Sequence, residues 1–337
     1  MEGTILEVLT QENPVLRLQS QKSGRLTQNP NYIDLAPREV SMSAWDDFNY
    51  DNIIAALGNI LDHGPVESRV KEDVGGSQLD IEDEDDIDRI SDHWFYEVTN
   101  KPLKFGSLQL LQQLGMEEVN VSFRLKGAKL KDPVNDNKLL PDWVVYQHSE
   151  PNKTNIVVGD SKCSTKWCSD RNKNIPKIEV QWMWPMRQIG SYCKFGGTRY
   201  SFIVTPEEIV VARFYLDHSM NDADRAEYKS IPWGAASPTA LTMNLAIWAL
   251  AMFALNEGHR PIRSREETLP LNVWWKDVAA DGSLTYEHHL TGRTLKKLPK
   301  GGEARKRPTH IPDVVPENER EPPVRSTRAA TLKRKKG

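Results

Sequence analysis

The chain is predicted to be an α/β protein, a central mixed sheet flanked by helices, with disordered charged extensions. Three observations predict it. Runs rich in β-branched and aromatic residues at 139–146 and 155–160 bracket a cluster of turn formers, Ser149-Glu150-Pro151-Asn152-Lys153-Thr154. From Trp45 through Phe48, Ile53, Ile54, Leu57, Ile60 and Leu61, apolar residues recur at the spacing of one helix face. Thr239 to Glu257 is apolar nearly all round, the pattern of a helix buried between layers.

The extensions are read from composition. The chain has 337 residues, 38% hydrophobic and 27% charged, enough for a real core but lean for a chain folded throughout. Residues 1–42 are polar and without a sustained period, so they are expected to add little core. The segment 80–92 holds eight acidic residues against Arg89 alone and reads as a solvated insertion. Residues 291–337 form a basic, proline-rich tail, in which 293–337 has fourteen Lys and Arg against five Asp and Glu. The one folded domain then spans 43–290, with its core at 108–216. The tail ends in Lys333-Arg334-Lys335-Lys336, which has the composition of a nuclear-import signal and favours the nucleus over the cytoplasm.

Other classes are excluded. No apolar run approaches the roughly 20 residues that cross a bilayer. Met1-Glu2-Gly3-Thr4 lacks the basic-then-apolar start of a signal peptide, which argues against export by that route. Cys163, Cys168 and Cys193 are too few for a disulfide framework or a four-thiolate metal site, and are expected to be free thiols.

The chemistry lies in the predicted hairpin. A turn centred near Pro151 pairs residues whose numbers sum to about 302, placing Asp142 opposite Asp160. Alternation puts Lys162 on the same face as Asp160. Opposed like charges destabilise a sheet, so this placement asks for a compensating cation. Mg²⁺ (or Mn²⁺) takes hard oxygen ligands and is commonly held by one or two carboxylates with water and phosphate oxygens. Beside it, Lys162 is placed to orient or deprotonate a water, or to offset charge building on a phosphate. The set suits phosphodiester hydrolysis.

Pro141-Asp142, seventeen intervening residues and then Asp160-Ser161-Lys162 resemble the PD-(D/E)XK signature of restriction-endonuclease-like nucleases. Trp184 to Tyr192 follows as a helix, with Pro185 in its first turn, Gly196-Gly197 as its stop, and Gln188 and Tyr192 four apart on one face. A Gln-x-x-x-Tyr helix after the lysine strand is similar to the RecB-like branch, where these residues help position the active site and its nucleic acid. Strands at 199–204 and 209–214 complete the expected order of strand, strand, strand, helix, strand, if 121–130 forms the first. The resemblance covers about one hundred residues, near 108–216, and extends in wording to nuclease-like proteins of filamentous fungi.

The resemblance implies a restriction-endonuclease-like core and a metal-dependent nuclease acting on nucleic acid, DNA ahead of RNA. Its expected site is Asp142, Asp160, Lys162, Gln188 and Tyr192. Active members usually add a helical Glu that completes metal binding. Glu67 is preferred here, because a helix could start at Pro65, and Glu97 is the other candidate. If neither reaches the site, the alternative is a silent module that binds nucleic acid or a protein. Three further expectations concern the remaining chain. Tyr228–Trp233 adds a short edge strand, Trp274-Trp275 packs in the core rather than stacking on bases, and His288-His289 lies in a surface loop.

Overall fold

The computed structural model describes residues 1–19, 40–125, 129–131, 138–149, 152–170, 182–216, 223–279 and 281–308. Chain order begins with β1 (Glu2–Gly3), α1 (Ile5–Leu9), β2 (Arg17–Leu18), β3 (Ser41–Ala44), α2 (Tyr50–Leu61), β4 (Val66–Glu67) and β5 (Asp80–Ile81). It continues with α3 (Glu84–His93), α4 (Phe95–Leu114), β6 (Asn120–Leu125), β7 (Leu130–Lys131), β8 (Lys138–Leu139), β9 (Trp143–Ser149) and β10 (Asn152–Ser161). Then come α5 (Trp184–Gly196), β11 (Tyr200–Val204), β12 (Glu208–Tyr215), β13 (Arg225–Pro232) and α6 (Met243–Leu255). The last elements are β14 (Val273–Val278), β15 (Leu284–His288), β16 (Thr294–Leu295) and β17 (Glu303–Arg305).

Seven strands form the central sheet in the order β3-β13-β12-β11-β10-β9-β6. It is mixed: β10 runs parallel to β11 and β13 parallel to β3, and the other pairs are antiparallel. Alternation along the strands divides the core in two. Phe123, Trp143, Val145, Val157, Phe202 and Val211 face a large core with α2, α4 and α6. Val144, Val158, Ile203, Val210 and Ala212 face a smaller core capped by Met186, Ile189, Tyr192 and Cys193 of α5. Every side chain of α6 is buried, as its all-round apolar sequence requires. Among the described residues no helix is long and apolar enough to cross a membrane.

Local chemistry sets the two elements that build the site. β9 and β10 pair as a hairpin, Asn152 with Ser149 and, past a bulge between Asn155 and Val157, Gly159 with Trp143. That bulge shifts the register by one, so the next pair in line is Asp160 with Asp142. Gly159 has no substitute here, since a Cβ would lie 2.5 Å from the Phe202 ring on β11. In α5 Pro185 stands in the first turn, and Gly197 ends the helix at φ +67°, a left-handed conformation that glycine adopts at no steric cost.

Several expectations are corrected. The amino-terminal residues do add core: Ile5, Val8 and Leu9 are fully buried, and Asn13 accepts from Trp94 Nε1 at 2.7 Å. The acidic stretch is not a solvated insertion. Asp83 caps α3, and Ile87 and Ile90 bury that helix on the large core. β13 is eight residues long and interior, because β3 pairs with its outer side. The first part of the basic tail is ordered as β16 and β17 in a four-stranded sheet with β14 and β15, and 309–337 lie outside the described residues. His288 and His289 are buried instead of looped out. His288 Nε2 bonds the Leu271 carbonyl at 2.6 Å and His289 Nε2 the Pro270 carbonyl at 2.9 Å, so strand pairing and a loop 17–19 residues earlier enclose them. Trp274 is buried and bonds Asn272, and the three cysteines are buried thiols outside any disulfide.

Candidate active site

The site forms where β10 and β11 end side by side. Asp160 opposes Ile203, and the backbone N–H of Lys162 continues the ladder to the Val204 carbonyl at 2.9 Å. Asp142 precedes β9, and its Oδ2 accepts the Ser161 backbone N–H at 2.9 Å. Asp160 is 1% exposed and Lys162 7%, and the lysine ammonium donates both to Asp160 and to the Ser161 carbonyl. Two carboxylates and one cation are thus enclosed on the sheet face that α5 covers.

The helix holds one carboxylate in place. Gln188 Nε2 donates to Asp160 Oδ1 at 3.2 Å and lies 2.6 Å from the Tyr192 hydroxyl. Tyr192 donates to the Leu140 carbonyl at 3.3 Å and stands 3.5 Å from Asp160 Oδ1. Helical spacing of four puts both side chains on the face toward β10. Asp160 therefore meets an ammonium, an amide and a hydroxyl.

Ser161 points the other way, toward the large core. Its hydroxyl accepts from Trp143 Nε1 at 2.8 Å and donates to Asp88 Oδ1 of α3 at 2.8 Å. This tie brings the start of α3 to the site, where Glu84 lies 3.1 Å from Lys166 Nζ.

Charge in the cluster is unbalanced. Burial, then the neighbouring Asp160, pushes the Asp142 carboxyl up to about 7. Burial also pushes Asp160 up, against the pull of Lys162. With the Lys162 ammonium and the Gln188 amide both donating to Asp160, the shared proton belongs on Asp142. Burial disfavours the Lys162 ammonium, but Asp160, Glu84 and Asp142 outweigh it and hold its pKa above the ordinary value. Acidic groups outnumber their cation.

That surplus is the test of fit for a divalent ion. Asp142 and Asp160 offer hard oxygens, and a cation would relieve the repulsion that a proton relieves now. Among the described residues no group of three or more His, Cys, Asp and Glu is arranged around one ion. Asp142 and Asp160 would hold Mg²⁺ or Mn²⁺ with water and substrate oxygens, as such ions are commonly held.

Glu67 does not join this cluster. It lies on β4, not a helix, because Val66–Glu67 pairs with β1. Its side chain is 82% exposed and bonds Lys101 at 3.2 Å. Glu97 is an exposed residue in the first turn of α4. The acidic residue that acts on the site, Glu84, and Asp88, which ties its helix to Ser161 from the opposite face, were hidden in a run read as solvated. Their signal was Ile87 and Ile90 at helical spacing, with Asp83 and Asp86 forming a capping box. Set against models of protein families, curated proteins and solved structures, the chain matches none.

Proposed function

We propose that this protein is a metal-dependent nuclease with a restriction-endonuclease-like core, hydrolysing phosphodiester bonds in nucleic acid, DNA ahead of RNA. The observation that carries the reading is the buried Asp142–Asp160–Lys162 cluster, oriented by Gln188 and Tyr192. Asp142 and Asp160 would hold Mg²⁺ or Mn²⁺, which when bound supplies Lewis acidity to the phosphate and acidifies water. Lys162, kept as an ammonium by its acidic neighbours, offsets negative charge on the phosphate rather than taking a proton. Gln188 and Tyr192 fix the Asp160 carboxylate, so no reorganisation is needed when substrate arrives. Glu84, on the helix tied to Ser161 through Asp88, replaces Glu67 as the third acidic candidate.

Purified parent is expected to cleave single- or double-stranded oligonucleotides with Mg²⁺ and not with EDTA. Asp160→Ala should lose at least about a thousandfold in rate, the scale of removing a preorganised charge-stabilising group. Cleavage by this variant at the parent rate refutes the assignment. A second reading, a module that binds nucleic acid or protein without cutting, is favoured by the lack of a three-acid metal group among the described residues. It predicts binding in EDTA and no turnover with any divalent ion. The basic tail is proposed as a nuclear-import signal, and removal of 333–336 should leave a fluorescent fusion in the cytoplasm.

A further inference from the structure

Eight of the ten tryptophans are buried, and Trp275 is in ring contact with His289. Trp184 differs. It is half-buried, and among the described residues its indole N–H has no partner and its ring no aromatic or cationic neighbour. Met183 and Met186 beside it pack on the smaller core, while Trp184 packs on neither. An apolar ring that is only partly covered keeps surface available for contact.

Its position supplies one. Trp184 opens α5, and residues 184, 188 and 192 recur every four positions on one face. Gln188 and Tyr192 of that face reach Asp160. Trp184 lies one turn further out, about 6 Å along the axis from Gln188, with its side chain tilted outward toward the helix start. Arg187, at the neighbouring i+3 position, adds positive charge to the same end. An unpartnered aromatic ring on the same helix face as the groups that hold Asp160 is placed as aromatic side chains are when they stack bases along a strand.

We propose that Trp184 is a stacking platform for the nucleobase next to the scissile phosphate, which makes unpaired strands or frayed ends the preferred substrate. This rests on the nucleic-acid reading of the same site. In a duplex both faces of an internal base are covered by its neighbours, so only an unpaired base can lie on the ring.

The test is equilibrium binding in EDTA, read by fluorescence anisotropy of a labelled twelve-nucleotide oligo(dT) and of a blunt twelve-base-pair duplex. The parent is expected to prefer the single strand. Trp184→Ala should weaken single-strand binding about tenfold, the scale of one lost base–aromatic stack, and leave duplex binding unchanged. Trp184→Phe should keep most of the affinity, and Trp184→Leu should behave as the alanine variant although it restores apolar bulk. Thermal melts identify any variant that is misfolded, and the Phe–Leu contrast then decides. Equal loss on both ligands, no loss, or no single-strand preference overturns the proposal. If Asp160→Ala abolishes cleavage while the Trp184 variants bind like the parent, the stacking fails and the nuclease stands. If nothing cleaves but the Trp184-dependent preference persists, the nuclease fails and the platform stands.

Discussion

The central sheet buries charge at both ends, and the two ends differ in sign. At the far end Glu227 of β13 receives Arg213 Nη2 at 2.6 Å, Arg265 Nη2 at 2.5 Å and the Tyr215 hydroxyl at 2.5 Å. One carboxylate there meets two guanidinium groups. At the other end Asp142 and Asp160 share the buried ammonium of Lys162, while nearby Glu84 pairs with Lys166. In the first cluster the carboxylate is fully paired within the chain. The second brings two carboxyls to one ammonium in a site with little water, a conflict that a proton on Asp142 relieves and an incoming cation can relieve in its place. Burial of charge alone therefore does not distinguish the two clusters, whereas an excess of carboxyls over cations marks the Asp142–Asp160 cluster.

The largest expected effect tests the anchor. Glu227→Ala should cost about 3–5 kcal/mol in urea unfolding, because Arg213 is left buried with its partner gone. Asp160→Ala should cost less, since Asp142 can give up its proton and pair with Lys162 in place of the lost carboxylate. Equal losses would erase the distinction between the two ends.

Next is a control in which buried polar groups carry no charge. Burial lowers His288 and His259 to about 4, below the ordinary value near 6.5. A base with a depressed folded pKa contributes stability above pH 6.5 and loses it as pH falls toward 4. Each can contribute about 3 kcal/mol across that window. Thermal melts from pH 7.5 to 4.5 should fall steeply, and His288→Asn should flatten the fall. An unchanged profile would remove these rings as the source.

A smaller effect of opposite sign sharpens the site end. Asp142→Asn keeps an acceptor for the Ser161 N–H and imitates the protonated acid. It should raise stability in EDTA at pH 8 by about 1 kcal/mol, the scale of relieving one opposed like-charge pair, and abolish the stabilisation by Mg²⁺. Destabilisation instead would show that the acids are not in conflict. The smallest effect is expected at Glu67, where Glu67→Gln should leave cleavage and melting at parent values, its ion pair being exposed.

What was legible in the sequence is what neighbouring residues dictate. Turn formers at 149–154 and β-branched flanks specify the hairpin, and period-two alternation places Asp142, Asp160 and Lys162 on one face. Helical spacing and a stop glycine likewise give α5 its Gln188–Tyr192 face. Non-local packing decided the rest. Asp88 meets Ser161 across 73 positions, and the same docking turns an apparently solvated acidic run into part of the site. His288 and His289 are covered by a loop that no local pattern announces. Glu67 was drawn away by pairing with the amino-terminal strand. Turn and helix signals act over a few residues, whereas burial and charge balance depend on which distant surfaces meet. That is why the sequence alone could place the paired aspartates but could not choose their acidic neighbour.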